Sequence, residues 1–247
     1  MIDLAKVLAP LHPVEHAGWR TRGGSSFAPT GQVLHHTASS ISSGDVGSLN
    51  VVLNGRTDVP PPLCNVLWSR SGVPHLIAAG RANHAGADSS IALAEMTAGR
   101  VNASTKTAAA RGLRDDTTGN RLAFGHEIEN NGTYEPWAPV LVEAVCHGCA
   151  LISAAMGWTS GHTTLHKLIT ARKTDPWGTT DWWSKIDGYL NQLTAPKPSL
   201  TLWQVGVDIM QPTGPDSALH LSPAQLADLR NRYTVTIVPH ARPSVVT

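Results

Sequence analysis

Apolar positions along the chain change period from segment to segment, and each change marks an element. QVLHHTASS at residues 32–40 opens as an apolar strand and ends in two histidines and small hydroxyl residues, so a strand end there carries polar side chains. Around Asp45–Leu53 the pattern is weakly helical and stops at Asn54-Gly55; LCNVLWSRSGVPHLI then reads as a hairpin turning at Ser71-Gly72. Residues 87–120 hold small residues, threonines and mixed charges with no sustained period, which predicts a long surface excursion with one short helix. LAFGHEIEN alternates as a strand, a helix with spacing near 3.6 follows from Pro136 to Met156, and TTLH gives a last short strand or turn. An amphipathic helix capped by Asp181 runs through WWSKIDGYLNQL to the breaker APKPS.

That breaker divides the chain into residues 1–195 and a small C-terminal extension, 196–247. The extension shows a strand-like LTLWQVGVDI, a helix SPAQLADLRNRY with Ser222 as cap and Pro223 in its first position, and a strand TVTIVP. About 50 residues rarely sustain a core alone, so the extension is expected to pack on the main domain or on a partner. No internal repeat is present, and so no repeated wall-binding module.

Composition narrows the class. The chain has 247 residues, 41% of them hydrophobic, 15% charged, with a net charge of +1, enough apolar material for a core and an α/β or α+β fold. Lysines and arginines are scattered singly, without the basic stripe that nucleic acid or an anionic bilayer would need. No apolar run approaches the roughly 20 residues of a membrane span, and MIDLAKVLAPLHPVEH interrupts with prolines and charges the apolar stretch a signal peptide would show. The expectation is no membrane insertion and synthesis in a cytoplasm. Three cysteines, Cys64, Cys146 and Cys149, are too few for a disulfide framework and read as packed residues.

Candidate chemistry comes from arrangement rather than number among the 12 histidines. His35 ends a strand, and His166 is followed nine residues later by Asp175 in a turn closed by Pro176 and Gly178. Two nitrogens and a carboxylate oxygen with an open fourth position is the pattern of a catalytic zinc site. Such a zinc acidifies water and polarises a carbonyl. Glu127 can then accept and relay a proton, and Lys173 can stabilise an oxyanion. On spacing alone the plainer readings stand beside these: solvated glutamates on a strand, and histidines held by hydrogen bonds.

The ordered set VLHHTAS, RANHAG, FGHEIENNG and LHKLITARKTDPWG closely resembles the zinc-dependent N-acetylmuramoyl-L-alanine amidases of the type 2 family, which also includes the peptidoglycan recognition proteins. The resemblance runs over roughly residues 15–192, and the WRTRG lead-in looks most like endolysins of phages infecting actinobacteria. It implies a mixed central sheet of five or six strands flanked by helices, with Zn2+ at one end of a substrate groove. His35, His166 and Asp175 would be the ligands, and Lys173 the oxyanion residue. Glu127 would be the catalytic carboxylate of the branch that lacks a tyrosine near the metal, since that position falls on Cys64. His162 lies four residues before His166 and is the competing ligand. His84 resembles a histidine lining the substrate groove. Trp177, where the family usually has glycine, is the candidate for stacking on a sugar face.

The implied partner is peptidoglycan, both glycan and stem peptide, and the implied reaction is hydrolysis of the amide between N-acetylmuramic acid and L-alanine. The setting would be lysis of a phage's host, the enzyme reaching the wall after holin-type release. A non-catalytic peptidoglycan-binding module and a virion-associated wall hydrolase are the alternatives.

Overall fold

The computed structural model describes residues 2–178, 180–196, 199–205, 208–214 and 217–239. The chain forms two compact units, Met1–Thr194 and Ala195–Thr247.

The first unit is built on a six-stranded mixed sheet. Its helices and strands follow in the order α1 (Leu4–Val7), β1 (Val14–Glu15), β2 (Gly31–His36), α2 (Leu49–Asn54), β3 (Val66–Trp68), β4 (Pro74–Leu76), β5 (Ala87–Asp88), α3 (Ser90–Thr97), β6 (Thr117–Thr118), β7 (Ala123–Ile128), α4 (Pro139–Met156), β8 (Thr163–Leu165), α5 (His166–Ile169) and α6 (Trp182–Thr194). Spatially the sheet runs β1-β4-β3-β7-β2-β8, while β5 and β6 pair by themselves. Within the six-stranded sheet β3 and β4 run antiparallel, as the hairpin at Ser71-Gly72 requires, and the other pairings are parallel; β5 and β6 pair antiparallel. This is the expected mixed sheet flanked by helices.

Central parallel strands are covered on both faces, so β2 is buried from Gly31 to His35 instead of alternating. Gln32 is tolerated there because its amide donates to the Cys149 carbonyl and to the hydroxyls of Ser153 and Thr163. The long helix α4 starts with Pro139, ends at left-handed Gly157 and buries Leu141, Val145, Cys146, Cys149 and Ile152 in the main core. At 18 residues and mean hydropathy 1.6 it is long and apolar enough to cross a membrane, yet half of it is buried within the protein. On α6, Asp181 accepts from the Ser184 amide as its cap, and Trp182, Trp183 and Ile186 join the same core.

Segment 87–120 departs from the expected surface excursion. Its helix α3 buries Ala92, Leu93 and Met96 in the main core, and the β5–β6 pair ties its two ends together. Small residues pack as closely as large ones when the neighbouring backbone is near, and they leave no periodic signal.

Gly148 on α4 faces the fully buried Trp68 ring, and a Cβ there would lie 2.3 Å from Cη2. Trp68 cannot yield, because its indole N–H donates to His126 Nδ1. Gly148→Ala is therefore expected to lose about 3 kcal/mol to overpacking and regain about 1 kcal/mol of helix propensity. A net loss near 2 kcal/mol should be visible in urea unfolding.

His126 also gives the fold an acid sensitivity. Burial pushes its pKa down to about 3, so the folded state holds it neutral while the unfolded chain protonates it near pH 6.5. A depressed histidine contributes stability that is complete above the unfolded pKa and is lost as pH falls from there toward the folded one, at about 1.4 kcal/mol per pH unit. Between pH 6.5 and 5, metal-free protein should lose about 2 kcal/mol more than His126→Gln does, measured by urea midpoints at each pH.

The second unit contains β9 (Ser199–Val205), β10 (Asp208–Gly214), β11 (Ser217–His220), α7 (Pro223–Arg232) and β12 (Thr234–Pro239), with sheet order β11-β10-β9-β12. The stretch expected as one strand, LTLWQVGVDI, is instead two antiparallel strands, β9 and β10. Ser222 and Gln225 form a capping box at the start of α7, and Leu202, Leu221 and Leu229 are its buried core.

Candidate active site

Parallel strands β2, β7 and β8 end side by side, and the site is built at those ends. Register places His35 of β2 opposite Glu127 of β7, so the two side chains leave the same face. His166 is the first residue of α5, directly beyond β8, and Asp175 lies in the loop after α5. That loop is tied back by the Lys167 amide, which donates to the Asp175 carbonyl at 2.7 Å. The Lys167 ammonium donates to the carbonyls of Pro176 and Gly178, each at 2.8 Å.

His35, His166 and Asp175 are all buried and meet in a triangle. His35 Nδ1 lies 2.9 Å from His166 Nδ1 and 3.1 Å from Asp175 Oδ2, with 2.9 Å between the last two. His166 Nε2 stands 3.0 Å from the Ala85 carbonyl, which only accepts, so Nε2 carries a proton and Nδ1 is the nitrogen left to present a lone pair to a cation. Burial is the main force holding His35 neutral, bringing its pKa down to about 4. Burial works against the Asp175 carboxylate, but without a metal a proton on either facing Nδ1 supplies the hydrogen bond and charge that hold it well below the usual carboxylate range; a bound cation would take that proton's place. Bare nitrogens and an anionic oxygen converging at such spacing fit a cation with ligand bonds near 2 Å, and zinc in particular.

His162, the competing ligand, is elsewhere. Its Nδ1 pairs with the Thr159 amide and hydroxyl, and its ring stacks on Trp158.

A cavity of about 730 Å³ opens over the triangle, and Glu127, Lys173 and His84 line it together with the three donors. Burial, with the Asp175 charge added, pushes the Glu127 carboxyl well above its ordinary value, while Lys173 pulls the other way. Glu127 Oε2 has no hydrogen-bond partner among the described residues. The packed Cys64, whose thiol burial pushes up, lies close enough to feel the Glu127 charge. His84 is partly buried against His35, at 2.9 Å from Nε2.

Trp177 does not line this cavity. Its amide donates to His36 Nδ1, and its carbonyl accepts from the Trp137 indole; the residue is 37% exposed. It borders a neighbouring hollow shared with Gly132 and with Tyr134, which is 90% exposed. Trp182 and Trp183, by contrast, are core residues.

Sequence reasoning missed three supports. Lys167 is one. Glu129 is the second: fully buried, it accepts from the Ser48 amide at 2.7 Å and from the hydroxyls of Thr37 and Ser39, and it pairs with Arg70. It thereby pins residues 37–48, part of the cavity wall. The third is Asp88, whose Oδ1 lies 3.9 Å from His166 Nε2 and whose carboxyl burial raises to about 6. An acidic residue reads as solvated until its neighbours are known, and these partners lie far away in sequence.

Converging metal donors, a carboxylate with an unpaired oxygen and a lysine over one cavity are the equipment of a hydrolase. Residues 25–178 match the Amidase_2 family, N-acetylmuramoyl-L-alanine amidase, and the chain belongs to that family. No curated protein matches the chain. Solved structures similar to it include the endolysin N-acetylmuramoyl-L-alanine amidase LysCS from Clostridium intestinale URNW, at 17% identity and TM-score 0.46 over 72% of this chain and 94% of that one. Another is the Ph2119 endolysin of a Thermus scotoductus MAT2119 bacteriophage, at 16% identity and TM-score 0.42 over 72% and 99%. A third is AmpDh3 from Pseudomonas aeruginosa in complex with anhydromuramic pentapeptide, at 18% identity and TM-score 0.40 over 67% and 61%.

Proposed function

We propose that the protein is a zinc-dependent N-acetylmuramoyl-L-alanine amidase that cleaves the amide between the lactyl group of N-acetylmuramic acid and the L-alanine of the stem peptide. The observation that carries this reading is the triangle of His35, His166 and Asp175 beneath Glu127, in a chain of the amidase family. Zinc, when bound, supplies Lewis acidity toward water and the scissile carbonyl.

The chain's own residues do the rest. Glu127 takes the proton of the attacking water on Oε2 and hands it to the departing nitrogen, as the new C–O bond forms and the C–N bond breaks. Lys173 places a positive charge against the oxyanion of the tetrahedral intermediate. The products are a lactyl carboxylate and a stem peptide with a free L-alanine amine. The exposed rings of Trp177 and Tyr134 offer faces for sugar stacking beside the reaction centre.

The resemblance to phage endolysins extends the reading to host lysis: synthesis in the host cytoplasm, release through a holin-type pore and action at the wall. Residues 196–247 would serve wall binding or docking.

The test is incubation with purified peptidoglycan before and after chelation and zinc add-back, followed by mass spectrometry of soluble products. Zinc-dependent release of stem peptides with a new L-alanine amino terminus is expected. Tight binding without release would make the protein a recognition module, and reducing sugar ends or internal peptide fragments would overturn the bond assignment.

A further inference from the structure

The back of the metal triangle is organised by one tripeptide, His84-Ala85-Gly86. The Ala85 carbonyl receives the Nε2 proton of His166 at 3.0 Å. The His84 ring reaches the other ligand: its Nδ1 lies 2.9 Å from His35 Nε2, and its own Nε2 lies 3.1 Å from the Ala123 carbonyl. A carbonyl can only accept, so His84 Nε2 carries the ring proton and Nδ1 of the neutral ring is an acceptor. His35 must then donate through Nε2, which leaves His35 Nδ1 bare and facing His166 Nδ1 and Asp175 Oδ2.

Two further observations show that this chain of bonds is built. Asn120 Oδ1 accepts from three successive amides, those of His84 at 3.0 Å, Ala85 at 2.8 Å and Gly86 at 3.4 Å. Gly125 of β7 leaves the slot the His84 ring occupies, since a Cβ there would lie 2.4 Å from the ring. Both His84 nitrogens are thus engaged by the protein, with neither left over for substrate.

We propose that His84 is a positioning residue that fixes the tautomer and orientation of the ligand His35, and that Asn120 acts through it as the clamp on its segment. The sequence resemblance places His84 in the substrate groove, and its ring borders the cavity, while both of its nitrogens are spent on His35 and the Ala123 carbonyl. The inference rests on reading the triangle as a zinc centre. Partners that orient ligand histidines typically change metal affinity by about 10- to 100-fold when removed.

The experiment measures zinc affinity by competition with a chromophoric chelator, and the visible spectrum of the cobalt-substituted protein, for wild type, His84→Ala, His84→Asn and Asn120→Ala. His84→Ala should bind zinc about 10- to 100-fold more weakly with an altered cobalt spectrum. His84→Asn keeps an acceptor oxygen near the Nδ1 position and should recover most of the loss. Asn120→Ala should weaken zinc in the same direction, and it serves as the readout if circular dichroism shows that His84→Ala is unfolded. Wild-type zinc affinity and cobalt spectrum in folded His84→Ala, with a raised KM for a muropeptide, would make His84 a substrate contact and overturn the inference alone. Absence of stoichiometric zinc binding by the wild type would overturn the zinc reading itself.

Discussion

Glu127→Gln is expected to lower amide turnover by about 10²- to 10⁴-fold, the usual range for loss of a general base, with zinc stoichiometry unchanged. The substitution keeps the side chain's size and removes only the ability to take a proton. Burial and the Asp175 charge already work against an ionised Glu127, so a neutral amide there should cost the metal-free fold nothing. The loss should appear in kcat with little change in KM, because the proton transfer belongs to the transition state. Steady-state hydrolysis of a muropeptide and a zinc titration on the same samples check both halves. Near-normal turnover in the variant would remove Glu127 from the chemistry.

Removing His166 should have the larger effect on the metal. His166→Ala leaves one nitrogen and one carboxylate, which no longer make the three-donor set of a catalytic zinc site. Zinc bound per chain should fall from near one to near zero at micromolar free zinc, and product release should match that of chelated wild type. His162→Ala is the discriminating control. With its nitrogen paired to Thr159 and its ring on Trp158, it should leave zinc content and turnover as they were. Metal analysis after dialysis, paired with the peptide-release assay, separates the two histidines.

The strands that carry the site were legible because buried parallel strands write themselves as apolar runs, and their polar ends break those runs visibly, as at His35 after Val33 and Leu34. Alternation in LAFGHEIEN marked the strand that carries Glu127, and the turn chemistry of Ser71-Gly72 located the hairpin. Legibility failed where packing left no period. Ala92, Leu93 and Met96 join the core from a segment whose small residues look like surface loop, and the unbroken strand-like pattern at residues 200–209 conceals that β9 and β10 are separate strands. At the site, residue types and the family resemblance marked the candidate donors and put His166 ahead of His162, and the fold shows where each of the two stands. The two lie four residues apart on opposite sides of β8, and only one of them reaches the end of the sheet. Glu129, Lys167 and Asn120 stayed hidden because each acts through partners that only folding brings near.

The protons on the histidine rings are set, at the far end of each hydrogen-bond chain, by the carbonyls of Ala85 and Ala123. Any amino acid supplies a carbonyl, and both positions already hold alanine. An alanine scan would therefore pass over the two groups that decide which nitrogens would face a bound metal. Displacing the backbone by a few tenths of an ångström, through a bulkier residue at Gly125 or loss of the Asn120 clamp, would change ligand chemistry without touching a ligand.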